Sequence, residues 1–103
     1  DLKSLLDSGA EDFVLLDVRN PHETEIAFID GAELIPLNKI ESGEAIEQVR
    51  ELTSGRRLFV YCKLGGRAQQ ALVTLKSHGI EGINVTGGID AWAQQVDSSL
   101  PRY

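Results

Sequence analysis

The sequence is short of several residue types, and each shortage narrows the classes of protein to which it can belong. It has one cysteine, Cys62, so it cannot form an internal disulfide, and no cluster of cysteine and histidine has the spacing of a metal site. A chain without internal disulfides is typical of a reducing compartment, which favours a cytoplasmic location. No apolar run is long enough to cross a bilayer, and we expect no secretory signal.

Positive charge is also scarce. Ten Lys and Arg residues stand against 16 Asp and Glu residues, which gives a net charge of −6. An acidic surface repels polyanions, so the charge argues against nucleic acid or an anionic membrane as the main partner. Hydrophobic residues make up 42% of the 103 residues, as in an ordinary globular domain. The chain has no methionine and starts in a helical pattern at Asp1, so we expect residues 1–103 to be one domain of a larger protein.

Short apolar runs alternate with helical stripes along the whole chain. The runs predict buried strands at 13–16, 34–35, 58–61 and 83–85. The stripes predict helices at 2–8, from 21 to 25 or 26, at about 42–53, from near 67 to 78, and from 88 onward. Because the strands are continuously apolar, the pattern indicates an α/β fold with a mainly parallel central sheet and helices on both faces.

Polar residues lie where three of these strands end. Asp17, Cys62 and Thr86 each come at or just after a predicted strand. Ligands bind outside the carboxyl ends of the strands in parallel α/β sheets. We therefore expect these three residues to gather at one edge of the sheet.

The loop of residues 62–67, C-K-L-G-G-R, is called the Cys62 loop below and carries the strongest chemical signal. It joins a strand to a helix, so backbone N–H groups and a helix N-terminus should converge on the cysteine and favour a nucleophilic thiolate. Gly65 and Gly66 allow the backbone angles of an anion-binding nest. Lys63 and Arg67 add positive charge, and Arg67 can contact an oxyanion with two N–H groups.

A lone cysteine at a strand end is often only a small buried side chain. The glycine turn and the two cations favour catalysis over that interpretation. His22 and His78 are far from Cys62 in sequence and are predicted to be surface or structural residues, which disfavours a Cys–His protease. A preformed thiolate that attacks sulfane sulfur needs anion stabilisation rather than a proton-shuttling base.

Four segments resemble the rhodanese family of sulfurtransferases, and together they cover nearly the whole chain. The loop C-K-L-G-G-R is similar to the family's active loop C-x-x-G-x-R. The other three segments are L-L-D-V-R at 15–19 with Glu23 after it, I-D-G-A at 29–32 followed by I-P-L at 35–37, and G-G-I-D-A-W at 87–92. Residues 27–28 are Ala-Phe where many members have Gly-His.

The resemblance implies that Cys62 accepts a sulfane sulfur from thiosulfate or a protein persulfide. The sulfur is then carried as a covalent cysteine persulfide, without a separate cofactor. The loop N–H groups bind the terminal sulfur and the two cations orient the anionic donor, so the substrate-binding residues are Lys63, Leu64, Gly65, Gly66 and Arg67. The supporting ion-pair residues are Asp17, Arg19 and Glu23.

A narrower resemblance concerns the whole loop, the segment G-I-E-G-I-N-V at 79–85 and the ending P-R-Y at 101–103. These look like the C-terminal rhodanese domain of fusion proteins that begin with an adenylyltransferase domain of the ubiquitin-activating type. That likeness implies a ubiquitin-like sulfur carrier as the acceptor, in molybdopterin, thiamine or tRNA-thiolation pathways.

Two other functions remain open. Dual-specificity cell-cycle phosphatases resemble this family, but their loop has one more residue between Cys and Arg and usually a His before the Cys. Here four residues separate Cys62 from Arg67, and Tyr61 precedes the cysteine. A non-catalytic binding or regulatory module is the other alternative, since many rhodanese-like domains have lost the cysteine that this chain keeps. An active sulfurtransferase is the favoured hypothesis.

Overall fold

Strands and helices alternate along the chain in a computed structural model that describes residues 12–29, 31–85 and 87–95. The strands within these ranges are β1 (Phe13–Asp17), β2 (Glu33–Leu34), β3 (Arg57–Tyr61) and β4 (Ile83–Asn84). The helices within them are α1 (Pro21–Thr24), α2 (Leu37–Glu41), α3 (Ile46–Thr53), α4 (Gly66–Ser77) and α5 (Gly88–Gln95). Among the residues described, no helix has the length and apolar character needed to cross a membrane.

The four strands form one parallel sheet in the order β2-β1-β3-β4. Asp17 at the end of β1 is in register with Tyr61 at the end of β3, and Val60 is in register with Asn84 of β4. The carboxyl ends of these three strands therefore lie at the same edge. Asp17 and Cys62 meet there as predicted, whereas Thr86 lies outside the described residues.

Both faces of the sheet are buried. Alternate strand residues such as Val14 and Val60 pack against α2, α3 and α4 on one face. The residues between them, such as Leu15 and Tyr61, pack against Ile29 and the start of α5 on the other face. This two-sided burial explains why the strands are apolar runs without polar alternation. It confirms the predicted α/β fold with helices on both faces.

The helix predicted at 42–53 is wrong at its start. The structure has two helices here, because α2 ends before Gly43 and α3 begins at Ile46. Gly43 has a φ of 87°, a left-handed conformation that interrupts a helix. The five-residue α2 is too short to show an apolar stripe, although its Ile40 is completely buried in the core. The predicted N-terminal helix and the P-R-Y ending lie outside the described residues.

Candidate active site

Cys62 follows β3 directly, and its side chain lies at the N-terminus of α4. The residue is only 1% exposed. Its Sγ accepts hydrogen bonds from the N–H of Gly65 at 3.0 Å and from the N–H of Ala68 at 3.4 Å. Gly65 is the N-cap of α4, and Ala68 lies in its first turn. Two amide dipoles and the positive end of the helix therefore stabilise negative charge on this sulfur.

Gly65 has a conformation that other residues rarely adopt. Its φ is 122°, and a Cβ atom there would lie 3.8 Å from the side-chain amide of Asn84, an ordinary contact. The backbone angle, rather than a lack of space, thus requires glycine. Gly66 is different, because it starts α4 and is not among the glycines with positive φ. The prediction that both glycines supply unusual angles is wrong for Gly66.

The carbonyl oxygen of Gly65 is held from two directions. It accepts hydrogen bonds from Nδ2 of Asn84 at 3.1 Å and from the N–H of Gln69 at 3.0 Å. Because a trans peptide directs its C=O and N–H oppositely, the N–H of Gly66 points away from Asn84. Oδ1 of Asn84 is buried without a hydrogen-bond partner. Sequence reasoning missed Asn84, and its one clue was a polar residue near the carboxyl end of an apolar strand.

The N-terminus of α5 holds the other side of the Cys62 loop. The N–H of Ile89 donates to the Cys62 carbonyl at 2.9 Å, and the N–H of Asp90 donates to the Lys63 carbonyl at 3.1 Å. Gly88 permits this approach, since a Cβ atom on it would overlap both carbonyl groups. The trans peptides then direct the N–H groups of Lys63 and Leu64 away from α5. Two helix starts thus fix the loop from opposite sides.

A surface depression of about 340 Å³ lies over the loop and is called the loop depression. Its lining residues are Cys62, Lys63, Leu64, Gly66, Arg67 and Gln70. The side chain of Leu64 is 64% exposed. The nearly buried cysteine therefore borders a space that a small molecule or a narrow peptide can enter. His22 and His78 are exposed and do not line this depression.

Arg67 is engaged by an acidic residue that lies 44 positions earlier in the chain. Its Nη1 and Nη2 donate to Oε2 and Oε1 of Glu23 at 2.7 and 2.9 Å. Oε2 of Glu23 also accepts the N–H of Asn20 at 2.8 Å, as part of a capping box at the start of α1. The predicted ion-pair role of Glu23 thus ties α1 to the Cys62 loop. Substrate binding by Arg67 stays a prediction.

Asp17 and Arg19 form a fully buried ion pair beside the loop. Nη2 of Arg19 donates to Oδ2 of Asp17 at 2.8 Å and to the carbonyl of Ala27 at 2.7 Å. The guanidinium also lies 5.5 Å from the centre of the Tyr61 ring. These contacts join the ends of β1 and β3 to the chain after α1. Neither Asp17 nor Arg19 lines the loop depression.

Tyr61, directly before the cysteine, is completely buried. Its hydroxyl oxygen accepts the N–H of Ile29 at 3.4 Å. Burial raises the pKa of Tyr61 well above its usual value, and the charge and hydrogen bond of Asp17 raise it further. Tyr61 is therefore a neutral structural side chain at physiological pH.

Comparison with known proteins adds sequence evidence to this geometry. The sequence profile of the Rhodanese-like domain family matches residues 1–95. The chain is 40% identical over 104 residues to the probable adenylyltransferase/sulfurtransferase MoeZ of Mycobacterium tuberculosis, covering 100% of this chain and 26% of MoeZ. It is 36% identical over 119 residues to the adenylyltransferase and sulfurtransferase MOCS3 of Sus scrofa, again covering 100% and 26%. The chain thus spans about a quarter of the length of both relatives.

A solved structure agrees with the fold. The crystal structure of a rhodanese-related protein from Thermoplasma volcanium matches with a TM-score of 0.75 at 26% identity. The match covers 93% of this chain and 87% of that chain. The similarity therefore extends over most of both chains.

Proposed function

The chain belongs to the rhodanese-like domain family, and on that basis we propose that it is a sulfurtransferase that carries sulfane sulfur on Cys62. The observation behind the proposal is the pair of backbone N–H groups on Sγ, at 3.0 and 3.4 Å, in a loop that borders the loop depression. This arrangement stabilises a thiolate and leaves one side of the sulfur for an incoming donor. It uses no side-chain base.

The proposed reaction has two steps. The Cys62 thiolate attacks the sulfane sulfur of the donor, a new S–S bond forms, and the donor's S–S bond breaks. The bonding electron pair leaves with the donor remnant, as sulfite from thiosulfate or as a thiolate from a persulfide. An acceptor nucleophile then takes the terminal sulfur, and Cys62 is released as a thiolate. With a nucleophilic acceptor such as cyanide, both steps are exchanges at sulfur, so they require no external oxidant or cofactor.

The loop backbone supports the persulfide state. The N–H groups of Lys63 and Leu64 point away from α5, and the N–H of Gly66 points away from Asn84. Backbone N–H groups that are held in fixed directions around a small loop form an anion nest. We propose that these N–H groups bind the terminal sulfur of the Cys62 persulfide.

We further propose a protein acceptor, a ubiquitin-like sulfur carrier whose C-terminus has been activated. With this electrophilic acyl group the Cys62 persulfide is the nucleophile: its terminal sulfur forms a C–S bond and the activating group leaves. A thiol reductant then breaks the S–S bond, which releases the carrier thiocarboxylate and leaves Cys62 in a mixed disulfide, and a second thiol frees Cys62. The support is the similarity to relatives named for both adenylyltransferase and sulfurtransferase activities. Molybdopterin synthesis, thiamine synthesis and tRNA thiolation are the pathways in question, with the cytoplasm as the location. Because the chain has a net charge of −6, an acidic carrier has to dock at the cationic loop, where Lys63 and the exposed Leu64 offer contacts.

The geometry disfavours a phosphatase. The loop holds four residues between Cys62 and Arg67, which is shorter than the phosphatase loop. The arginine that would bind a phosphate directs two N–H groups to the Glu23 carboxylate. Hydrolysis of an aryl phosphate by the purified protein, abolished in Cys62→Ser, would contradict this conclusion.

The deciding experiment is sulfur loading. The purified protein is incubated with thiosulfate or with a persulfidated cysteine desulfurase, and intact mass spectrometry records the addition of one sulfur atom. Cyanide then releases the sulfur as thiocyanate. We expect loading on Cys62 and none in Cys62→Ala. A protein that accepts sulfur from neither donor is a non-catalytic module, and the proposal fails.

A further inference from the structure

One of the two cations of the Cys62 loop, Arg67, forms an ion pair with an internal carboxylate at the loop depression. Lys63 and Arg67 both line it. The guanidinium of Arg67, however, donates to both oxygens of the Glu23 carboxylate, at 2.7 and 2.9 Å. This paired geometry is the one by which arginine binds oxyanions. Glu23 therefore occupies the arginine in the way that an anionic substrate otherwise would.

Glu23 is held in place independently of any substrate. Its side chain is 9% exposed, and Oε2 accepts the N–H of Asn20 in the capping box of α1. Pro21 at the first turn of α1 fixes the backbone on the other side of the cap. Moving the carboxylate away from Arg67 leaves a nearly buried charge without its cation, which is costly. An incoming anion thus competes with a prepositioned internal carboxylate.

We propose that Glu23 is a specificity-determining residue that selects against thiosulfate and in favour of persulfide donors. The inference rests on the proposed sulfurtransferase function. Thiosulfate enters as a dianion with a sulfonate head, and its departure as sulfite also leaves two negative charges. A persulfide of a neutral thiol brings at most one negative charge, on sulfur. By neutralising Arg67, Glu23 removes the attraction that the dianion needs more than the persulfide does.

The test compares two donors in two variants. The donors are thiosulfate and the persulfide of N-acetylcysteamine, whose only charge lies on sulfur. Glu23→Gln keeps the length of the side chain and an oxygen for the Asn20 N–H, but removes the negative charge. The matched control is Glu25→Gln, which changes the net charge equally at an exposed position at the end of the same helix. Rate constants for loading of Cys62 are measured by intact mass in rapid-quench samples.

We expect Glu23→Gln to raise the ratio of thiosulfate to persulfide rate constants by about fivefold to tenfold at low ionic strength. The increase should shrink at high salt, because salt screens the partly exposed arginine. In Glu25→Gln the ratio should stay within about twofold of the wild type. An unchanged ratio in Glu23→Gln, or an equal loss with both donors, overturns the proposal and leaves Glu23 a structural role.

A measurement on the wild type covers the case in which Glu23→Gln does not fold. A loop whose arginine is already neutralised should load from thiosulfate with less than about a twofold decrease from low to high ionic strength. A steep decrease overturns the inference. Failure of the wild type to load from either donor refutes the sulfurtransferase function itself. If the wild type loads from both donors and Glu23→Gln leaves the ratio of their rate constants unchanged, only the role of Glu23 is refuted.

Discussion

Gly88 packs directly against the carbonyl oxygen of Cys62. A Cβ atom at this position would overlap that oxygen and the Lys63 carbonyl group. The residue also has a φ of 60°, where side chains other than hydrogen are disfavoured. The close approach allows Ile89 to donate its N–H to the Cys62 carbonyl at 2.9 Å. Glycine is therefore required at position 88 for two independent reasons.

Gly88→Ala should lower the free energy of unfolding by about 3 kcal/mol and slow sulfur loading, because α5 must move away from the loop. Urea denaturation measures the first effect, and intact mass measures the second. Gly66→Ala is the control for stability, since no atom lies within 4 Å of its Cβ position and its φ is not positive. A Gly88→Ala protein as stable as Gly66→Ala would contradict the packing described.

Gly65→Ala should impair chemistry more than folding. The strained φ of 122° costs about 1 kcal/mol with a side chain, and relaxation moves the N–H away from Sγ. We expect sulfur loading to slow by about tenfold or more. Gly79→Ala is the matched control, because Gly79 has a φ of 79° with open space around it and lies beyond the other end of α4. Equal loading defects in the two variants would show that the glycine serves folding alone.

Asn84 should position the loop without touching the substrate. Asn84→Ala removes the 3.1 Å hydrogen bond to the Gly65 carbonyl, so loading should slow about fivefold and stability should fall by about 1 kcal/mol. Asn84→Asp keeps the shape but replaces the donor with a negative oxygen that faces the Gly65 carbonyl, and its loading should be slower still. Wild-type loading in Asn84→Asp would rule out this positioning role.

The unfolding free energy should fall at alkaline pH because of Tyr61. The folded state raises the pKa of this phenol above its usual value of 10.0, so the folded protein retains a proton that the unfolded chain releases. The Tyr61 contribution is complete below about pH 10 and decreases by about 1.4 kcal/mol per pH unit above it. Urea titrations from pH 8 upward measure the slope. Tyr61→Phe should remove this slope. If the variant keeps the same slope, the pH dependence comes from another group.

The parallel sheet and the Cys62 loop could be predicted from the sequence because their signals are local. A strand buried on both faces is an apolar run, as at Arg57–Tyr61, and a strand–glycine–helix transition fits in a few residues. The small helix Leu37–Glu41 could not be predicted, because one and a half turns are too short to show a helical periodicity of apolar residues.

The contacts that shape the site could not be predicted in the same way. Glu23 meets Arg67 across 44 positions, and Asn84 meets Gly65 across 19. Such pairs depend on which strands become neighbours and on how the loops between them turn. A local pattern contains neither piece of information. Glu23 was named as an ion-pair residue only through the family resemblance, without its partner Arg67, and Asn84 was missed.

The dependence of the Cys62 loop on α5 has a consequence for reagent access. The loop carbonyls are bonded to the first turn of this helix, and Ile89 and Ala93 anchor the helix in buried positions. Because Cys62 lines the loop depression, we expect small reagents to reach the sulfur there in the native state. Bulky thiol reagents instead depend on local unfolding that detaches α5, so their rate of reaction reports the free energy of that subglobal opening. Thiol-labelling kinetics at this single cysteine thus provide a direct probe of how firmly α5 is docked.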